Sequence, residues 1–221
     1  MKTRKILVPP FFILCSFLFV NSTCLCASVN PEPRKGGRIP IISLPAPRGS
    51  EEKIYLGLSS GDGFFKIHQI RAQVILIKIF NLYCPMCQST ASTLVELHSQ
   101  IENHPDLNGK IRLIGIGAGN SQPQIEAFKQ NNSVPFPLFP DPNFSIHKAL
   151  GEVPTPFFIA IKMNKNGSHE IVYTRLGSLT DIGGLLDSMV EACGIPQEDL
   201  QKREKLATST ADLAAPSSEL G

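Results

Sequence analysis

Cys84-Pro85-Met86-Cys87 is the stretch of this 221-residue chain whose residue types and spacing can do chemistry. Two thiols separated by two residues on a helix lie one turn apart, so they can close a small disulfide ring. A ring that opens and closes is a two-electron redox couple. The thiolate is the nucleophile in such a couple, so one sulfur must be easy to ionise. The flanking residues supply that. Val74 to Phe80 (VILIKIF) is β-branched and aliphatic, the pattern of a central strand buried on both faces. From Pro85 to about Ile101, the apolar residues Met86, Ala91, Leu94, Val95, Leu97 and Ile101 fall at helical spacing. Cys84 therefore stands where strand gives way to helix, and the unpaired N–H groups of a first turn favour an anion there. Pro85 suits the first helical position, where its missing N–H would have had no partner. The expected cycle has Cys84 as nucleophile and Cys87, one turn on and more buried, as resolving thiol.

Rival uses of the two cysteines fare worse. A c-type haem site needs His after the second Cys, and position 88 is Gln. A structural zinc site needs a second ligand pair, and His68, His98, His104, His147 and His169 form none at short spacing. No metal or organic cofactor is implied. A merely structural disulfide is the bland alternative, and a strand–helix junction is a poor place for a staple. Cys193 is single and falls near a helix C-terminus, where the dipole disfavours a thiolate, so it is expected to be structural.

The elements that must position the pair come from the rest of the chain. It is 42% hydrophobic, enough for one real core, and only 18% charged. Lys plus Arg is 21 against 19 Asp plus Glu, with no long basic run, which argues against a nucleic-acid binder. Lys2, Arg4 and Lys5 followed by the apolar run Phe11 to Val20 spell a secretory signal over residues 1–27. That run is short for a membrane span, so an uncleaved anchor is the weaker reading. Cys24 and Cys26 lack the preceding pattern expected of a lipoprotein signal. Export to a periplasmic or other extracytoplasmic space lets a disulfide persist. Residues 28–50, rich in Pro and Gly, read as a linker that includes a short edge strand over Ile39 to Leu44. The domain itself is expected over 51–195, followed by a polar tail over 196–221.

Within that domain, Tyr55 to Leu58 and Phe64 to Ile70 look like two arms of a ribbon around SSGDG. Ile111 to Ile116 is a second buried strand, Gln122 to Gln130 a helix and Phe136 to Phe139 a short strand. Asn143 to Leu150 is a short helix, which Asp141 is placed to cap. Pro156 to Met163 and Glu170 to Arg175 form a hairpin around NKNG, and Leu179 to Cys193 is the last helix, closed by Gly194. The order predicts an α/β sandwich around a mixed sheet. Gly115-Ile116-Gly117-Ala118-Gly119-Asn120 lacks the third glycine of a dinucleotide fingerprint and reads as a Gly-rich turn near the active-site end of that sheet. His147 reads as a partly buried surface residue.

The segment FNLYCPMCQ after VILIKI resembles the active-site segment of thioredoxin-fold proteins, and Gly151-Glu152-Val153-Pro154-Thr155-Pro156-Phe157 resembles their second signature. The likeness spans roughly residues 54–193 and is nearest to the exported TlpA-like and redoxin (AhpC/TSA-related) branch. It implies a thioredoxin-like three-layer sandwich with an N-terminal ribbon and an extra strand–helix insertion. It also implies a thiol–disulfide oxidoreductase in which Pro154 is a cis-proline facing the disulfide. Val153 would then offer backbone groups to a bound chain, with Tyr83, Pro85 and Met86 completing the substrate-binding surface. The implied partners are protein dithiols and disulfides, apocytochrome c among them, with a membrane thiol reductase as electron donor.

Several positions depart from the family pattern. Tyr83 stands where thioredoxins usually carry Trp. Lys78 stands six residues before the first Cys, where thioredoxin has a buried acid; because buried lysines are scarce, its head is expected in water. Pro85 after the first Cys resembles glutaredoxins and the oxidant branch, so the direction of electron flow stays open. A peroxiredoxin-like thiol peroxidase, an antioxidant activity, is the alternative. That family's PxxxTxxC pattern is missing here, since Ile77 and Asn81 occupy the Pro and Thr positions, and Arg175 reads as a hairpin surface residue. A non-catalytic binding module is a further alternative, against which both cysteines speak.

Overall fold

A computed structural model describes residues 31–59 and 62–196. The signal segment, Cys24, Cys26 and most of the polar tail lie outside them. In chain order the elements are β1 (Ser43–Pro45), α1 (Ser50–Leu56), β2 (Phe64–Lys66), β3 (Val74–Phe80), α2 (Pro85–Ser89) and α3 (Ala91–Asn103). They continue as β4 (Ile111–Ala118), α4 (Gln122–Asn131), β5 (Leu138–Asp141), α5 (Ser145–Ala149), β6 (Phe157–Met163), β7 (His169–Leu176) and α6 (Ile182–Ala192). The main sheet runs β5-β4-β3-β6-β7. β3, β4 and β5 are mutually parallel, β6 is antiparallel to β3, and β7 to β6. This is the mixed α/β architecture that the order of elements predicts.

β3 sits at the centre because all seven of its residues are buried. Strand alternation sends them to two cores. Ile75, Ile77 and Ile79 join the layer that holds Ile42, Leu44, Leu56 and Phe65. Val74, Leu76 and Phe80 join the layer under α3 and α6, with Leu94, Leu97, Leu185 and Met189. Lys78 has the parity of this second face.

Two assignments made from the sequence change. The supposed linker ends inside the fold: Ile39, Ile42 and Leu44 are buried, and β1 pairs antiparallel with β2. The edge strand expected over Ile39 to Leu44 shortens to β1, and these three aliphatic residues are anchors in the core. The supposed arm Tyr55 to Leu58 is instead the end of α1, which has Glu51 and Glu52 in its first turn and closes on Gly57 in the left-handed region (φ 64°). A four-residue apolar run does not carry enough period to separate strand from helix. Tyr55 ties α1 to the head of β4, since its hydroxyl accepts from the Leu113 N–H at 2.9 Å. The Arg112 guanidinium lies over its ring at 4.4 Å.

A candidate redox-active site at the end of β3

The helix expected from Pro85 to Ile101 is two helices that meet at Thr90 (ψ 1°). The cause is local. Thr90 Oγ1 donates back to the Cys87 carbonyl at 3.1 Å, and Lys78 Nζ donates to that same carbonyl at 3.0 Å. A carbonyl engaged from the side by a Thr hydroxyl and an ammonium favours a bend over a straight helix. The CxxC therefore rides on a helix of only five residues, and its anchoring is correspondingly specific.

Cys84 is the N-cap of α2 and Pro85 occupies the first turn, as the sequence reading requires. Asn81 and Asn120, which the sequence marks only as motif positions, hold the preceding loop to the end of β4. Asn81 Nδ2 donates to the Ala118 carbonyl at 2.8 Å, and its Oδ1 accepts from the Tyr83 N–H at 2.8 Å. Asn120, fully buried, accepts from the Leu82 N–H at 3.1 Å. The Gly-rich turn thus serves to seat the cysteine loop. At Gly119 (φ 72°) a Cβ would lie 2.3 Å from the Phe144 ring, so glycine is required for that ring to close over the turn.

The two cysteines are free thiols that approach to 3.3 Å. They differ sharply in setting. Cys84 is half-buried at the edge of a cleft of about 390 Å³, while Cys87 is 1% exposed beneath it. Burial pushes the Cys84 thiol up, but hydrogen bonds from the Cys87 thiol and backbone N–H, from Thr155 and from the Met86 backbone outweigh that and hold it below the ordinary thiol range. Burial pushes Cys87 up to about 11, with the neighbouring Cys84 adding to the rise. Of the two sulfurs, Cys84 is held toward ionisation and Cys87 away from it.

This asymmetry has a direct readout. A thiol alkylates in proportion to its thiolate fraction, which falls as pH falls through the group's pKa. Iodoacetamide at pH 7 should label Cys84 well before Cys87 or Cys193, the latter also pushed up to about 11 by burial. Peptide mapping of the reduced protein checks this; equal labelling of Cys84 and Cys193 contradicts it.

The cleft brings together Tyr83, Cys84, Val153 and Pro154 with Asn81, Phe144, His147 and Thr155. Tyr83 is 75% exposed and its hydroxyl accepts from Gln124 at 2.8 Å. Met86, 45% exposed, and Pro85, also exposed, lie outside that cleft, with the Met86 sulfur near Gly177. One expectation is corrected. The cis peptide is Thr155–Pro156, so Pro156 and not Pro154 is the cis-proline. The segment holds two prolines two residues apart, and the strand start chooses between them: β6 begins at Phe157, and the proline directly before it continues the pairing by accepting the Gly177 N–H at 2.9 Å. The backbone aimed at the redox pair is accordingly that of Thr155, whose carbonyl accepts from Cys84 Sγ at 3.4 Å. The Val153 carbonyl is engaged instead by His147 Nε2 at 2.8 Å. Asp141 fixes His147 in turn, accepting from the Ile146 N–H at 3.1 Å and the His147 N–H at 2.8 Å. His147 thus supports the cleft wall, a role that no spacing in the sequence signals.

Lys78 also differs from expectation. Its head is in the protein and not in water: the residue is 4% exposed and Nζ donates to the Cys87 carbonyl and, at 2.8 Å, to Thr90 Oγ1. Burial lowers its pKa to about 8, against a pull upward from the Cys87 and Cys84 thiols.

Residues 94–203 match the family model described as AhpC/TSA antioxidant enzyme, a span that begins beyond both cysteines of the pair. No curated protein matches the sequence. Among solved structures, a secreted thiol-disulfide isomerase from Corynebacterium glutamicum is 20% identical with a TM-score of 0.52, covering 71% of this chain and 85% of its own. The thioredoxin domain of a thiol-disulfide oxidoreductase from Bacteroides vulgatus is 11% identical with a TM-score of 0.53, covering 71% of this chain and 98% of its own. At such identities the likeness is one of fold, and the fold is thioredoxin-like.

Proposed function

For a chain of the thioredoxin-like fold that carries an AhpC/TSA segment, we propose the work of an exported protein thiol–disulfide oxidoreductase. The observation that carries this is the asymmetric pair: an accessible, easily ionised Cys84 directly above a buried, reluctant Cys87. In the reducing direction the Cys84 thiolate attacks a sulfur of a partner disulfide. A Cys84–partner S–S bond forms and the partner's other sulfur leaves as thiolate and takes a proton. Cys87 then gives up its proton and attacks the Cys84 sulfur, which closes the Cys84–Cys87 disulfide and expels the second partner sulfur. The partner gains two electrons and two protons, and the pair loses the same; the reverse sequence oxidises a partner dithiol. Tyr83, Pro154 and Thr155 border the cleft that would receive the partner's chain, and Met86 flanks it. The N-terminal signal pattern supports export. Protein disulfides such as those of apocytochrome c, and a membrane thiol reductase as donor, are the partners that the resemblance suggests.

A second reading, a thiol peroxidase, draws on the AhpC/TSA match. The cleft gives it little: Asn81 spends both its amide groups on backbone, and Arg175 is tied to the Ser178 carbonyl at 2.9 Å and Thr180 at 2.7 Å.

The test is a Cys87→Ser variant mixed with oxidised insulin. With no resolving thiol, a mixed disulfide at Cys84 should accumulate and be visible on a non-reducing gel. Absence of that adduct, together with no Cys84–Cys87 disulfide in the unsubstituted protein at any glutathione poise, overturns the reading. Rapid peroxide consumption in that case supports the peroxidase.

A further inference from the structure

We infer that Lys78 is the positioning residue that sets the redox poise: its buried ammonium stabilises the thiolate form of the Cys84–Cys87 pair and makes the pair a stronger oxidant than the fold alone would. The inference rests on the oxidoreductase reading above.

Lys78 lies on β3 between Gly115 of β4 and Phe158 of β6, on the face turned to α2 and α3. Its surroundings there are Phe80, Ala91, Leu94, Phe128, Phe136 and Leu138, all apolar. Nζ stands 5.6 Å from the centre of the Phe80 ring. Among the described residues no carboxylate pairs with it, and the titratable groups acting on it from the elements packed against it are Cys87 and Cys84 of the α2 segment. The two oxygens it touches, the Cys87 carbonyl and Thr90 Oγ1, are neutral.

A buried cation without a counter-ion is destabilised, because neutral oxygens do not replace its lost hydration. The anion this site can generate is a thiolate, and it exists only in the reduced form. Reduction therefore supplies the ammonium with a partner, and disulfide formation removes it. The balance is Cys84–S–S–Cys87 plus a partner dithiol giving the Cys84/Cys87 dithiol plus a partner disulfide. Whatever stabilises the thiolate of the right-hand side draws the reaction that way, which is an oxidising bias. Coupling is reciprocal, so the thiolate must raise the affinity of Lys78 for its proton as much as the ammonium favours the thiolate. A carboxylate at this position would have the opposite effect on the thiolate.

The test uses the full chain in both redox forms. Lysine side-chain NMR should give a titration midpoint for Lys78 that is higher in the dithiol than in the disulfide form. Lys78→Gln keeps a polar side chain but removes the charge, and Lys78→Met removes both polarity and charge. In each, the equilibrium constant for oxidising glutathione should fall about tenfold, equivalent to ~30 mV, and Cys84 alkylation at pH 6 should slow by about the same factor. Lys78→Arg should restore part of both. Identical Lys78 midpoints in the two redox forms overturn the inference without any variant, as does a folded Lys78→Gln protein with the original equilibrium constant. If the unsubstituted protein forms no Cys84–Cys87 disulfide at all, the oxidoreductase reading fails first and this inference falls with it.

Discussion

A Cys84→Ser protein is expected to reduce a model protein disulfide at least ~10³-fold more slowly than the unsubstituted chain, because loss of an activated nucleophile costs that much or more. Cys87 cannot take over. It is 1% exposed, so a partner disulfide has no path to its sulfur, and its pKa of about 11 leaves almost no thiolate at neutral pH. A serine hydroxyl in the same N-cap position would accept the same hydrogen bonds but is far too weak an acid to ionise there. Insulin reduction with dithiothreitol as donor, corrected for the rate with dithiothreitol alone, measures the effect. Retention of the original rate would mean that the chemistry lies elsewhere. Far-ultraviolet dichroism should be unchanged, since the substitution is nearly isosteric.

The second large effect is on stability and lies far from the thiols. Leu44→Ala should destabilise the protein by about 2–5 kcal/mol, the cost of removing a fully buried leucine and leaving a cavity. Leu44 is 0% exposed and belongs to the same core as Ile75, Ile77 and Ile79 of the central strand. The effect reads out as a lower urea midpoint with little change in slope. A loss below about 0.5 kcal/mol would be typical of an exposed site and would return residues 39–50 to the status of a linker.

That substitution also marks where sequence reading stops. β3, β4, the β6–β7 hairpin and the last helix were legible because each is long enough to show its period or composition. α1 was not, being seven residues long at the end of a stretch dense with Pro and Gly, and the edge strand expected over Ile39 to Leu44 is the three-residue β1 at Ser43–Pro45. The CxxC and its place at a strand–helix junction were legible because strand, cysteine, proline and helix are contiguous in the chain. His147 holding the Val153 carbonyl and Asn120 holding the Leu82 N–H were not, since the first depends on a loop's path and the second on a contact 38 residues away.

Local pattern and the order of elements carry the fold class and the place of the CxxC at a strand–helix junction. Which of two prolines precedes β6 as the cis residue, and which carbonyl faces Cys84, depend on the packed fold. Only it placed the head of Lys78 beneath the pair. Parity along β3 assigns Lys78 to one face, but water or protein could have received its head. The bend at Thr90, which presents two oxygens inside an otherwise apolar layer, made the difference.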